Sequence, residues 1–231
     1  MALSIPQYKT WRTAKNLACN FQYTEAIALY KSIETDMRNL QEWRSDKTER
    51  DNLFHQAMFF GDYCGALADS GFYEEAKEKG DFALKCIEQG NISSLEYIYY
   101  NIGNIYLFQH EYEQSCKWFE LALKGATYFY TSVNNYLVNY GISLYYLREF
   151  DRAKEKFQLA ISSSKGTKYN KTFEPFFYMS KISKLENEEK ESQKYEKMYL
   201  TRLKKYSQTE LEWAISTMKD KKEILEDYTK K

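Results

Sequence analysis

YYNIGNIYLFQHEYEQSCKWFELAL, residues 99–123, carries two helix-length apolar patterns separated by the polar step Gln109, His110, Glu111. At 3.6 residues per turn Tyr99, Ile102, Gly103 and Tyr106 share one helical face, and Ser115, Phe119 and Ala122 share the face that opposes it. Gly103 and Ser115 are small where two such helices cross, which lets the backbones approach. The stretch therefore predicts a helix, a sharp turn and a second helix. Stepping forward 38 residues converts Gly103 to Gly141, Tyr112 to Phe150, Ser115 to Ala153, Phe119 to Phe157 and Ala122 to Ala160. Stepping back 39 converts Tyr106 to Leu67, Tyr112 to Tyr73, Ser115 to Ala76 and Ala122 to Ala83. Fainter copies begin at Trp11, with Leu17, Tyr23, Ala26 and Tyr30, and at Phe176, with Met179 and Ser180.

This order of bulky, small and aromatic positions resembles the tetratricopeptide repeat (TPR), a helical hairpin that buries its apolar face only by stacking on copies of itself. The step exceeds the roughly 34 residues usual for the family. The resemblance implies an all-α, right-handed TPR-like α-solenoid in one domain, 1–231, with hairpins near 7–43, 53–89, 94–125, 130–164 and 172–205 and a capping helix at 208–229. Residues 93–96 and 207–210 each read as a capping box opening a helix, and 162–170 as the least regular linker. The last helix carries Leu211, Ile215, Met218 and Leu225 at helical spacing; it reads as a cap, with a homodimer through that helix as the alternative.

Composition agrees with such an array. Only 2 of the 231 residues are proline and 29% are charged, while 22 are tyrosine, whose rings fill interhelical gaps with the hydroxyl left for a polar partner. Net charge is zero, which argues against direct nucleic-acid binding, since that needs a concentrated basic surface. No run is apolar enough for a membrane span and no signal-peptide pattern opens the chain. Cys19, Cys64, Cys86 and Cys116 show no metal-ligand spacing, which points to a reducing, cytoplasmic setting with no metal and no cofactor. The two histidines, His55 and His110, lack ligand partners nearby, and no phosphate-binding or nucleophile motif occurs. The chain reads as a non-enzyme; its rival from another class is a hydrolase assembled from scattered acids.

In a stacked array the first helix of each hairpin keeps one stripe outside the core. Here the stripe shows Tyr97, Tyr100, Asn101, Asn104 and Phe108, then Asn135, Asn139 and Tyr146, with Asp62 before them and Tyr178 and Lys181 after. Asparagine is a mediocre helix former, so its recurrence there calls for a reason. One is local hydrogen bonding. The other is an amide whose donor and acceptor grip the backbone of an extended peptide, with the aromatics packing its side chains. The cations of the carboxylate-binding TPR adaptors are replaced by Tyr100, Glu174 and Tyr178. The aromatic-rich repeats with asparagine on the inner stripe resemble instead the peptide-sensing arrays of Gram-positive quorum-sensing receptors of the Rap and Rgg type. That resemblance implies a peptide-sensing regulator, or its sensor part, since the repeats start near residue 7. A scaffold, adaptor or co-chaperone for a folded protein is the alternative.

Overall fold

The computed structural model describes residues 6–40, 48–93, 95–125, 133–163 and 172–230, and the fold is all-α. Among these residues there are twelve helices and no strand: α1 (Pro6–Cys19), α2 (Tyr23–Arg38), α3 (Glu49–Asp69), α4 (Tyr73–Gln89), α5 (Glu96–Phe108), α6 (Tyr112–Gly125), α7 (Val133–Tyr146), α8 (Phe150–Ser163), α9 (Glu174–Leu185), α10 (Glu189–Leu203), α11 (Gln208–Ala214) and α12 (Lys221–Thr229). Consecutive helices pack as TPR-like hairpins, α1 on α2, α3 on α4, α7 on α8 and α9 on α10. The chain divides into two compact units, one ending at Gln109 and the other beginning at His110.

Each hairpin turns in the same way. The second residue past the first helix sits at positive φ: Phe21 (65°), Gly71 (83°), His110 (64°), Arg148 (63°) and Asn187 (61°). That left-handed residue lets the next amide reach back to an orphan carbonyl, as Gln22 N–H does to Leu17, Phe72 N–H to Leu67, Glu149 N–H to Leu144 and Glu188 N–H to Ser183. Four of the five positions bear a side chain and cost about 1 kcal/mol or more relative to glycine. The geometry is imposed by packing on either side of the turn.

The repeat signature forms the core. In the first unit Ala26, Tyr30, Phe59, Cys64, Ala76 and Ala83 are buried, and the Tyr30 and Tyr63 rings stack at 5.0 Å. In the second, Ser115, Phe119, Ala122, Ala153, Phe157 and Ala160 are buried. Each fully buried aromatic contributes about 2 kcal/mol of transfer free energy. At the expected close crossing of α7 and α8, a Cβ on Gly141 would lie 2.5 Å from the Phe157 ring. Only glycine fits there.

Several boundaries differ from expectation. The segment 208–229 is two helices; Ser216 and Thr217 favour local hydrogen bonds or lose rotamer freedom in a helix, and the chain breaks between Ala214 and Lys221. Leu211, Ile215 and Ile224 are buried within the chain itself. Helix α5 starts from Leu95 with no side-chain cap, so 93–96 is not a capping box. The box at 207–210 forms, Ser207 N–H donating to Glu210 and Glu210 N–H to the Ser207 hydroxyl. An unexpected one opens α3, where Thr48 Oγ1 accepts from Asp51 N–H and the Asp51 carboxylate accepts from Thr48 N–H. Helix α2 ends at Arg38 rather than running to residue 43. The linker read at 162–170 falls almost wholly outside the described residues.

Candidate functional site

In the first unit the first helices α1, α3 and α5 pack side by side, and their stripe is engaged in that packing. Asn101 Nδ2 on α5 donates to the Gly61 carbonyl on α3 at 2.9 Å. A helical carbonyl already paired along the helix has a second lone pair for such a bond. The amide fits because residue 65 is glycine: a Cβ there would lie 2.8 Å from Asn101 Nδ2. The Tyr97 hydroxyl donates to the Met58 carbonyl at 3.1 Å. One turn on, the Asp62 carboxylate accepts from Trp11 Nε1 at 3.0 Å and from Lys15 Nζ at 3.0 Å. Burial pushes that carboxyl up, against the pull of Lys15 and Trp11. Asn104 is buried, while Tyr100 and Phe108 remain partly exposed. Asp62 and Asn101, expected at an open face, are instead joined to neighbouring helices, Asp62 to Trp11 and Lys15 of α1 and Asn101 to α3, whose small residues Gly61 and Gly65 let α5 come close.

In the second unit α7 packs on α9, and its stripe is more open. Asn135 is exposed and Asn139 partly so, while neighbouring Asn134 is buried and accepts from the Ser163 hydroxyl at 2.6 Å. At the C-terminal end of α7 the Tyr146 ring stacks on Tyr112 at 4.7 Å, and burial together with Asp220 pushes the Tyr112 hydroxyl up to about 12. The Tyr146 hydroxyl donates to Asp220. Tyr178 on α9 is 0% exposed, lies parallel to the Phe157 ring at 5.8 Å, and donates to Asp220 Oδ2 at 3.0 Å. It is a core residue with a polar tip, which corrects its expected place packing a ligand. Lys181 Nζ donates to Asp220 Oδ1 at 3.0 Å and to Glu223 Oε2 at 2.6 Å. Burial pulls the Lys181 ammonium down, but the bonds to Glu223 and Asp220 outweigh it and the net shift is upward. Glu174, in the first turn of α9, is pushed up to about 7 by burial, against the pull of the Glu174 and Phe173 backbone amides.

Asp220 went unnoticed in the sequence because 208–229 read as one continuous helix. Its signal is an aspartate at the N-cap of α12, between Lys219 and Lys221, whose side chain makes no cap bond to its own helix. That carboxylate points at α7 and α9 instead. The second-unit stripe thus carries Asn135, exposed, and Asn139, partly exposed, and ends in hydroxyl and ammonium donors that are engaged by Asp220.

No protein-family model matches the chain, and no curated protein matches it. Solved structures do. A crystal structure of MamA aligns with 83% of this chain and 95% of its own at TM-score 0.55 and 16% identity. A MamA structure from MSR-1 aligns over 88% and 100% at 0.56 and 13% identity. BtubC from P. vanneervenii aligns over 85% and 87% at 0.64 and 15% identity. These are TPR-like helical proteins, and at such identity the likeness carries the fold alone.

Proposed function

We propose that the protein is a non-catalytic TPR-like module that binds a segment of a protein partner on the first-helix stripe of its second unit, as a peptide-sensing regulator or its sensor part. The observation that carries this is the exposed Asn135 on α7, one turn from the partly exposed Asn139. An extended segment laid along α7 presents backbone amides and carbonyls that need partners once water leaves. Carboxamides offer both donor and acceptor without favouring a charge, in keeping with the net charge of zero. Asn101 and Asn104 belong in this reading to the frame of the first unit. Free thiols at all four cysteines support a reducing, cytoplasmic setting. The test is selection from a displayed peptide library on the full chain, followed by calorimetry. Asn139→Ala weakens the selected peptide about tenfold or more, and so does Asn135→Ala without lowering the melting temperature. Unchanged affinity in both Asn135→Ala and Asn139→Ala overturns the amide grip.

A second reading, an adaptor holding a folded partner, is favoured by Leu121 and Leu159. They occupy equivalent positions 38 residues apart on α6 and α8 and are 41% and 36% exposed. Leu121→Lys with Leu159→Lys abolishes partner binding in that reading and spares it in the first.

A further inference from the structure

The Tyr146, Tyr178 and Lys181 side chains converge on one carboxylate. Asp220 takes a hydroxyl hydrogen bond from each tyrosine and the ammonium of Lys181, and its side chain is only 14% exposed. All three donors belong to residues that sequence periodicity assigns to the ligand-facing stripe of α7 and α9, although Tyr178 itself lies in the core. The carboxylate comes from the chain's own C-terminal segment, at an N-cap position where aspartate ordinarily bonds to its own helix and here does not. Lys219 adds a cation 4.9 Å from the Tyr146 ring, and Glu223 shares Lys181. Such a constellation, with one donor fully buried and another a cation, is a built carboxylate site. Tyr178 is held by the Phe157 ring and Tyr146 by Tyr112, contacts that do not depend on Asp220.

We propose that Tyr146, Tyr178 and Lys181 form a subsite for an aspartate or glutamate side chain of the bound partner segment, occupied in this structure by Asp220 as an internal competitor. The proposal rests on reading the α7 stripe as the binding face. It predicts an acidic residue in the partner and an affinity limited by the need to displace the chain's own carboxylate, whose tethering gives it a high effective concentration. The argument for the occupant is direct: a carboxylate is what these three donors hold.

The probe is a fluorescent peptide of residues 214–224, AISTMKDKKEI, and a version with asparagine in place of its aspartate, each titrated into the full chain. The Asp220→Ala chain should bind the aspartate-containing peptide at least tenfold tighter than the natural chain, and the asparagine version should lose at least tenfold. Lys181→Ala added to Asp220→Ala should remove the difference between the two peptides. Should Asp220→Ala fail to fold by circular dichroism, the near-isosteric Asp220→Asn chain takes its place with the same expectations. Equal binding of the two peptides, or no tightening on removal of Asp220, overturns the proposal. Concentration-dependent dimers of the natural chain that vanish in the Asp220 variant overturn the partner assignment in favour of a second copy. If these arms fail while a library-selected peptide still depends on Asn139, the subsite is wrong and the binding face stands; if Asn139 is also silent, both fall.

Discussion

Asn101 on α5 and Asn139 on α7 occupy the same repeat position 38 residues apart, yet they live in different surroundings. In the first unit Asn101 reaches 2.9 Å to the Gly61 carbonyl, helped by the missing side chain at Gly65, and Tyr97 reaches the Met58 carbonyl beside it. In the second unit Asn139 stays partly exposed with Asn135 open next to it, and the donors farther along the stripe meet Asp220. The lesson concerns cause. The Asn101 amide is structural because Gly61 and Gly65 of the adjacent first helix admit it. The repeat position alone does not assign a role.

The largest expected effects come from the packing that holds each stripe in place. Gly141→Ala should destabilise the fold by about 2 to 3 kcal/mol, and Gly141→Leu by more, since the added Cβ lies 2.5 Å from a fully buried Phe157 ring. Gly65→Ala in the first unit should cost only about 1 kcal/mol, because the group it meets is the end of the Asn101 side chain, which can swing away and give up its hydrogen bond. Equal losses in urea titrations would erase the distinction between rigid and yielding crossings.

Buried acids give the next contrast. Glu174 in the second unit rises from 4.5 to about 7 and Asp69 in the first from 3.8 to about 6, both through burial, with Asp69 partly relieved by the Tyr23 hydroxyl. A carboxyl raised on folding binds more protons in the native state, so stability falls as pH climbs from the unfolded value through the folded one. Glu174→Gln should therefore gain about 1 to 3 kcal/mol at pH 8 and little at pH 4. Asp69→Asn should behave alike with a smaller gain. A pH-independent difference in the denaturation midpoints would assign both residues to packing instead.

A direct comparison of the two asparagines is smaller still. Asn101→Ala removes a hydrogen bond between α5 and α3 and should cost about 1 to 2 kcal/mol, whereas Asn135→Ala on the exposed stripe should stay within about 0.5 kcal/mol. Thermal melts decide it, and reversed magnitudes would mean that the open stripe is the structural one. Smallest are the turns. Arg148→Gly and Phe21→Gly should each leave stability unchanged or raise it by up to about 1 kcal/mol, while Gly71→Ala should cost about 1 kcal/mol, although nothing lies within 4 Å of the added Cβ.

What the sequence displayed best was the core. Gly141, Ala76, Ala153, Ser115, Phe119 and Phe157 recur at a fixed step because every hairpin must solve the same crossing, so periodicity alone finds them. The five turns were also legible in position, but not in conformation: at four of them left-handed backbone is forced on phenylalanine, histidine, arginine or asparagine by the helices on either side. The stripe was legible only as a list of residues. Whether Asn101 faces solvent depends on Gly65 in another helix, and whether Tyr178 is open depends on Phe157 and Asp220. Such contacts join residues 20 to 45 positions apart and leave no periodic trace. Asp220 was hidden by a helix that read as continuous across 215–220, where the weaker helix propensity of Ser216 and Thr217 and a docked carboxylate prevail over the apolar spacing.

Hydrogen exchange on the full chain, with and without the library-selected peptide, tests the central claim most directly. The account predicts slowed exchange on binding across α7, Val133–Tyr146, and α9, Glu174–Leu185, with α3 and α5 unchanged. Protection confined to α3 and α5, or to the second helices α6 and α8, would contradict it.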